Sequence, residues 1–440
     1  MVLRISSVFN EYTSIGLKSF KIFGLSMKKK KILMFCDHPL STSGVGIQAR
    51  YLINGLLETG QYSFRCFGAA MKHTNYDVIK VSDDFIVKPI DGFGDTDMLR
   101  LALATERPDA LFLFTDPRFF MYMWEMEDEI HQICPIVYWH VWDNGPFPEY
   151  NDVLYQGTDL INCHSHKTYT MLHERFPDKT NFIPHALPPQ LFRPLPKSEI
   201  KSHKVNILGQ DRANDFVGIW VNRNARRKKP GDVIASWSLF LDKLEEKYGH
   251  KNAILLLHTD PRDNEGPNLF SIVDLYGIQQ NIFFSTNRLE FDDMNILYNI
   301  SDFCVNVACA EGFGLSTLEA MQVGKPIIAQ KTGGLTRQVV DHRDGSENGI
   351  ALDPDVRTLV GSQLVPYIYE DHVNNENVAD AFMRMYELGP KERQRIGKKA
   401  REYALSEFNL QSTVDTWHKT LMDTMKNWGD RYDFKRVIEI

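Results

Sequence analysis

The chain has 440 residues and a net charge of −7, with 43% hydrophobic and 24% charged residues. That length accommodates two domains of ordinary size, the balance is that of a globular protein, and the acidic surplus argues against a general nucleic-acid binder. No run of 18 apolar residues predicts a spanning helix, and six cysteines (36, 66, 134, 163, 304 and 309), without a C-x-x-C pair or metal-ligand spacing, read as reduced core thiols of a cytoplasmic protein.

Residues 1–26 mix Ser, Lys, Tyr and Phe and lack the apolar segment of a signal peptide. Met27, followed by Lys28 to Lys31, reads as a start, so 1–26 is taken as an N-terminal extension and any membrane contact as peripheral at most. Ile32 to Phe35 predicts a buried strand. After the Ser41–Gly46 turn, Ala49, Leu52, Ile53, Leu56 and Leu57 recur at helical spacing, and Gly60 ends the helix. Ala110 to Phe114, Ile136 to Tyr138, Leu160-Ile161 and Asn181 to Ile183 repeat the buried-strand pattern. Prolines 184, 188, 189, 194 and 196 follow, and apolar periodicity is lost to about Asp215, which marks the domain boundary.

A second series then begins. Val217 to Val221 reads as a strand, Val233, Trp237, Phe240, Leu241 and Leu244 as a helix face, and Ile254 to Leu257 and Ile282 to Phe284 as strands. A helix over Phe291 to Ile300 leads to a buried strand over Phe303 to Val307. Strands alternating with helices predict an α/β chain: two Rossmann-like domains facing a cleft, with parallel sheets and helices on both faces. The expected domains are 27–200 and 201–410, and 411–440 is expected as a C-terminal helix that crosses back to the first domain.

Gly44-Val45-Gly46-Ile47-Gln48-Ala49 matches G-x-G-x-x-A after a strand and before a helix. An NAD(P)-dependent oxidoreductase is therefore one reading, but the next strand, Ser63 to Gly68, lacks the acid that would hold the ribose. Residues 311–334 carry more. Glu311 and Glu319 flank Gly312-Phe313-Gly314-Leu315, a strand–glycine turn–helix arrangement that favours phosphate. Carboxylates there suit the hydroxyls of a sugar and a ribose, so together they point to a nucleotide-sugar.

The string E-G-F-G-L-x-x-L-E-A-M, followed by a small-residue strand and Gly333-Gly334, resembles the donor-site signature of retaining glycosyltransferases of family 4 (glycosyl transferases group 1), which have the GT-B fold. The resemblance is strongest over 303–341, moderate over 217–241 and weak over the first domain. It implies a metal-independent retaining transfer from a UDP-, GDP- or ADP-sugar to a hydroxyl acceptor, with no cofactor required. It assigns Glu311 to the donor sugar, with covalent nucleophile as the alternative role, and Glu319 to the ribose. The backbone of Gly312, Phe313, Gly314 and Leu315 would meet the phosphate or sugar, and Gly44 and Gly46 would approach the diphosphate from the opposite domain.

Arg223 and Lys228 match the family's Arg and Lys five residues apart, which stabilise the departing diphosphate; Arg227 and Lys229 lie close enough to share the role. His140 corresponds to a sugar-positioning histidine, and Arg288 and Leu289 to backbone contacts with the base. Asp143-Asn144-Gly145 would touch the acceptor and Thr332-Gly333-Gly334 would close the far side, while His185 is read as structural. Asp353-Pro354-Asp355 spells the D-x-D of metal-dependent enzymes, but its central proline reads as a turn. The acceptor could be a glycan, a lipid-linked sugar, a metabolite, a protein or a hydroxylated DNA base. The aromatic-rich segment Trp139 to Tyr150 suits stacking on a sugar or a base. A non-catalytic nucleotide-sugar-binding protein and a sugar phosphorylase complete the alternatives.

Overall fold

Strand β1 (Lys30–Asp37) is apolar on both faces from Ile32 to Cys36, a pattern stable only inside a sheet covered on both sides. The computed structural model describes residues 28–431, and in it β1 is central to the first sheet. The residues read as an N-terminal extension lie outside the described residues. The other strands of this sheet are β2 (Tyr62–Ala69), β3 (Ile79–Ser82), β4 (Phe85–Pro89), β5 (Ala110–Phe114), β6 (Ile136–His140), β7 (Leu160–Cys163) and β8 (Thr180–Phe182). Their order is β3-β4-β2-β1-β5-β6-β7-β8, parallel except for the β3–β4 hairpin.

A second, six-stranded parallel sheet has the order β11-β10-β9-β12-β13-β14. It comprises β9 (Phe216–Val221), β10 (Ala253–His258), β11 (Ile282–Ser285), β12 (Phe303–Asn306), β13 (Ile327–Gln330) and β14 (Gly349–Leu352). Each sheet is packed on both sides. In the first, Leu33, Phe35, Leu111 and Leu113 point into one core, and Ile32, Met34, Ala110 and Phe112 into the other. In the second, Leu255, Leu257 and Val305 alternate in the same way with Ile254, Leu256 and Cys304. The fold is thus α/β with parallel sheets covered by helices.

Strand order reverses beside β1 and β5 in one sheet and beside β9 and β12 in the other. Open α/β sheets form their crevice at such switch points, beyond the strands' carboxyl ends. The helix Leu410–Arg431 lies on the first sheet. Its Trp417 ring centre is 4.9 Å from that of Phe112 and 5.0 Å from that of Trp139, and Tyr62 Oη lies 2.9 Å from His418 Nδ1.

Two elements escape the periodicity. The helix Lys197–Leu208 buries none of its residues, so no apolar stripe marks it in the stretch read as aperiodic. The antiparallel hairpin β15 (Val356–Val360) and β16 (Ile368–His372) is half exposed and lacks regular alternation. All six cysteines are buried free thiols. Among the described residues no helix is long and apolar enough to cross a membrane, and no group of three His, Cys, Asp or Glu could hold a metal ion.

Candidate functional site

The site starts at the end of β12. Asn306 Oδ1 accepts the Ala308 N–H at 3.1 Å and bends the chain toward Glu311. Gly314, at φ 91°, then serves as N-cap of the helix Leu315–Val323. A Cβ there would stand 2.5 Å from Leu335 Cδ2 and 2.8 Å from Thr317 Oγ1, so both the left-handed backbone and the crowding demand glycine. One turn into this helix, Glu319 accepts the Tyr298 hydroxyl at 2.6 Å. It keeps part of its surface open, yet burial of the carboxyl pushes its pKa up to about 7 despite that hydrogen bond.

Facing Glu311 is the turn Arg226–Lys228 after β9. Lys228 Nζ forms a buried ion pair with Glu311, and Asn306 Nδ2 lies 3.4 Å from the same carboxylate oxygen. Burial draws the Lys228 pKa down against the pull of Glu311. Arg227 donates to the Ala310 carbonyl at 2.9 Å and reaches the Asp143 carboxylate at 3.7 Å.

The first sheet closes on this cluster. Burial pushes the Asp143 carboxyl up, but Arg227, Lys228, His164 and the Gly312 N–H together hold it below the ordinary carboxylate range. A Cβ on Gly312 would lie 2.8 Å from His164 Nε2 and 2.9 Å from Asp143 Oδ1. Burial lowers the His164 pKa to about 4 although the Asp143 and Glu311 carboxylates oppose it, so His164 is neutral at pH 7. Beneath Glu311, Gly334 N–H donates to its carbonyl at 3.0 Å. Gly333, at φ 46°, leaves no room for a Cβ between the carbonyls of Glu311 and Asp143.

From the first domain comes the helix Gly44–Glu58. Ser43 caps it, accepting Gly46 N–H at 3.0 Å and donating to Asp37 at 2.7 Å. A Cβ on Gly46 would strike Ser41 and the His38 carbonyl, and one on Gly44 would lie 3.1 Å from Leu315 Cδ1. The first residue of this helix therefore meets the first residue of the helix Leu315–Val323. Two helix N-termini, each with unpaired first-turn N–H groups and a positive dipole end, converge beside Lys228 and Arg227.

The structure thus brings Gly44, which opens the helix that also holds Gly46, against Leu315 and sets Lys228, Glu311, Gly312 and Gly314 close by, while Phe313 packs into the second core and Glu319 lies one turn along the helix against Tyr298. It places other sequence candidates apart. Arg223 is exposed and held by Asp263 at 2.7 and 3.0 Å. Arg288 is exposed on the loop after β11, where Leu289 packs against the second domain's core. His140 is fully buried, its Nε2 3.1 Å from the Tyr155 hydroxyl and its pKa lowered by burial to about 3. His164, not singled out from the sequence, is the histidine beside Gly312. Its signal lay in the Cys163-His164-Ser165 strand end, since His140 and Cys163 are register partners. Asp353 and Asp355 diverge, one to Lys331 and the other to the Asn374 N–H at 2.7 Å.

Two parallel α/β sheets meeting at their switch points form the GT-B fold of glycosyltransferases. Over 90% of this chain the structure is similar to all of the sucrose-phosphate synthase from Thermosynechococcus elongatus (TM-score 0.68, 16% identity). The same 90% is similar to all of Anabaena HepE in complex with UDP and glucose (TM-score 0.67, 16% identity). A trehalose synthase of Pyrococcus horikoshii is 40% identical over 53 residues, 12% of this chain and 13% of that protein. The chain spans less than a third of the length of each curated relative it matches (13%, 13% and 30%). Residues 212–403, which carry Lys228, Glu311 and Glu319, match the family described as glycosyl transferases group 1.

Proposed function

We propose that this chain is a retaining, metal-independent glycosyltransferase of the cytoplasm that moves a hexosyl group from a UDP-sugar, glucose being the first choice, to a hydroxyl acceptor. The observation that carries the reading is the convergence of two helix N-termini on the buried Lys228–Glu311 pair. A diphosphate fits the first turn of the helix Leu315–Val323, where N–H groups and dipole favour anions. Glu319 accepts ribose hydroxyls. Arrival of the donor redistributes the ion pair: Lys228 and Arg227 turn to the diphosphate, and Glu311 is freed to accept sugar hydroxyls. As the bond from the anomeric carbon to the β-phosphate oxygen breaks, the acceptor oxygen bonds to that carbon on the same face. Its proton passes to the departing phosphate oxygen. Neutral His164 and ionised Asp143 line the opposite wall and position the sugar and acceptor.

The choice of UDP-glucose is supported by the fold neighbours, which include HepE with UDP-glucose and an E. coli protein with UDP-2-fluoro glucose. The test is nucleotide release from UDP-, GDP- and ADP-hexoses in EDTA, for the wild type and Glu311→Gln. Release from one donor, lost in the variant, supports the reading. Activity lost in EDTA and restored by manganese removes the metal-independent part. A chain that neither binds nor releases any of these nucleotides removes the donor site altogether.

A further inference from the structure

The hairpin β15–β16 leaves the second sheet after β14 and crosses the cleft to the first-domain segment 144–150. Tyr369 N–H donates to the Gly145 carbonyl at 2.6 Å. The Tyr150 hydroxyl donates to the Tyr367 carbonyl at 2.9 Å, the Glu149 N–H donates to the Tyr367 hydroxyl at 3.1 Å, and the Tyr150 and Tyr367 rings meet edge-on at 4.9 Å. At the root of the hairpin sits Asp371, with no solvent exposure. Its carboxylate accepts from Asn144 Nδ2 at 2.8 Å, the Thr332 hydroxyl at 2.7 Å and Arg357 Nε at 2.6 Å. Its backbone N–H donates to the Cys309 carbonyl at 2.8 Å.

Three of these partners lead to the site; Arg357 belongs to the hairpin itself. Asn144 follows Asp143, the carboxylate opposite Glu311. Thr332 precedes Gly333, wedged between the carbonyls of Glu311 and Asp143. Cys309 lies two residues before Glu311. Asn144 and Thr332 are both fully buried, so neither has water as a substitute partner.

We propose that Asp371 is a positioning residue. It latches the Asp143-Asn144 wall of the first domain to the Thr332-Gly333-Gly334 turn of the second, and the hairpin is the strap that carries this latch across the cleft. With the latch closed, Asp143 and His164 stand across from Glu311. With it broken, the wall swings away while the helix Leu315–Val323 and Lys228 stay in place. The consequence for turnover rests on the glycosyl-transfer reading, whereas the latch itself does not.

The experiment uses the full chain with Asn144→Ala, Asn144→Asp, and Asn144→Asp combined with Asp371→Asn. Hydrogen exchange is followed by mass spectrometry over segment 144–150, alongside UDP binding and UDP-glucose turnover. Asn144→Ala should raise exchange in 144–150 about tenfold while peptides from β5 and β10 keep their protection. Asn144→Asp should raise it further, because two buried carboxylates then face each other. Adding Asp371→Asn restores a donor–acceptor pair and should return exchange toward the wild-type rate, a rescue that general damage to folding would not give. Turnover should fall about tenfold in the single variants with UDP affinity within about threefold, placing the loss in kcat.

Unchanged exchange in Asn144→Ala overturns the latch. Raised exchange with unchanged turnover overturns the positioning role. A wild type silent on every donor sinks the transferase reading instead, and the exchange measurements still decide the latch.

Discussion

Replacing Glu319 by glutamine should stabilise the free protein and weaken its grip on nucleotide. Burial holds the Glu319 carboxyl near pKa 7 against an ordinary 4.5, so the folded state binds this proton more tightly than the unfolded chain does. Wild-type stability therefore falls as pH rises from about 4.5 through 7 and levels off above. Keeping the group ionised at pH 8 costs about 3 kcal/mol. Glutamine mimics the protonated acid and still accepts the Tyr298 hydroxyl, so it removes that cost. For a domain of about 200 residues the unfolding midpoint should rise by about 8 °C at pH 8. At pH 5, where much of the wild-type penalty has vanished, the rise should be about 2 °C. UDP affinity should fall by about tenfold or more, because the ribose loses a charged acceptor. Thermal unfolding at the two pH values, with and without UDP, checks both halves. Equal stabilisation at pH 5 and pH 8, or none at pH 8, would refute the argument that desolvation controls this carboxylate. Unchanged UDP affinity would remove Glu319 from the nucleotide site.

Other substitutions probe the rest of the crevice. Lys228→Ala should slow nucleotide release by about a hundredfold or more, as the departing charge loses its buried cation. Arg223→Ala, which breaks only an exposed pair with Asp263, should cost less than about fivefold; the reverse ranking would mean that donor binding draws Arg223 away from Asp263. His164, neutral down to about pH 4, should add no step to the kcat profile between pH 5 and 8. A step near pH 6.5 that disappears in His164→Asn would contradict that. Gly333→Ala and Gly345→Ala both place a side chain at positive φ, but only the first meets backbone carbonyls; Gly345 has nothing within 4 Å. In denaturant titrations Gly345→Ala should cost about 1 kcal/mol and Gly333→Ala at least twice that.

Much of this architecture was legible because its signals are local. An apolar run such as Leu33-Met34-Phe35-Cys36 has to be buried on both faces, and a β-α alternation then leaves little besides parallel sheets. The Gly312–Gly314 turn was legible for the same reason: a left-handed position between strand and helix wants glycine, and the helix it opens bears Glu319. Where burial does not set the pattern, the sequence marked no element. The helix Lys197–Leu208 has no buried face, and the β15–β16 hairpin finds its partners in segment 144–150, some 220 residues earlier in the chain.

The sequence by itself determined the α/β class, the main strands and the glycine turn with its two carboxylates, since each depends on the chemistry of a few neighbouring residues. Only the tertiary structure decided which charges meet. Lys228 rather than Arg223 faces Glu311 because the turn Arg226–Lys228 buries the Lys228 side chain, whereas Arg223, in the loop before that turn, is exposed and paired with Asp263. His164, Asp143 and Asp371 join the site because strand ends of two separate sheets are brought together there. Distances of that kind are set by the packing of whole layers, and no stretch of sequence encodes them locally.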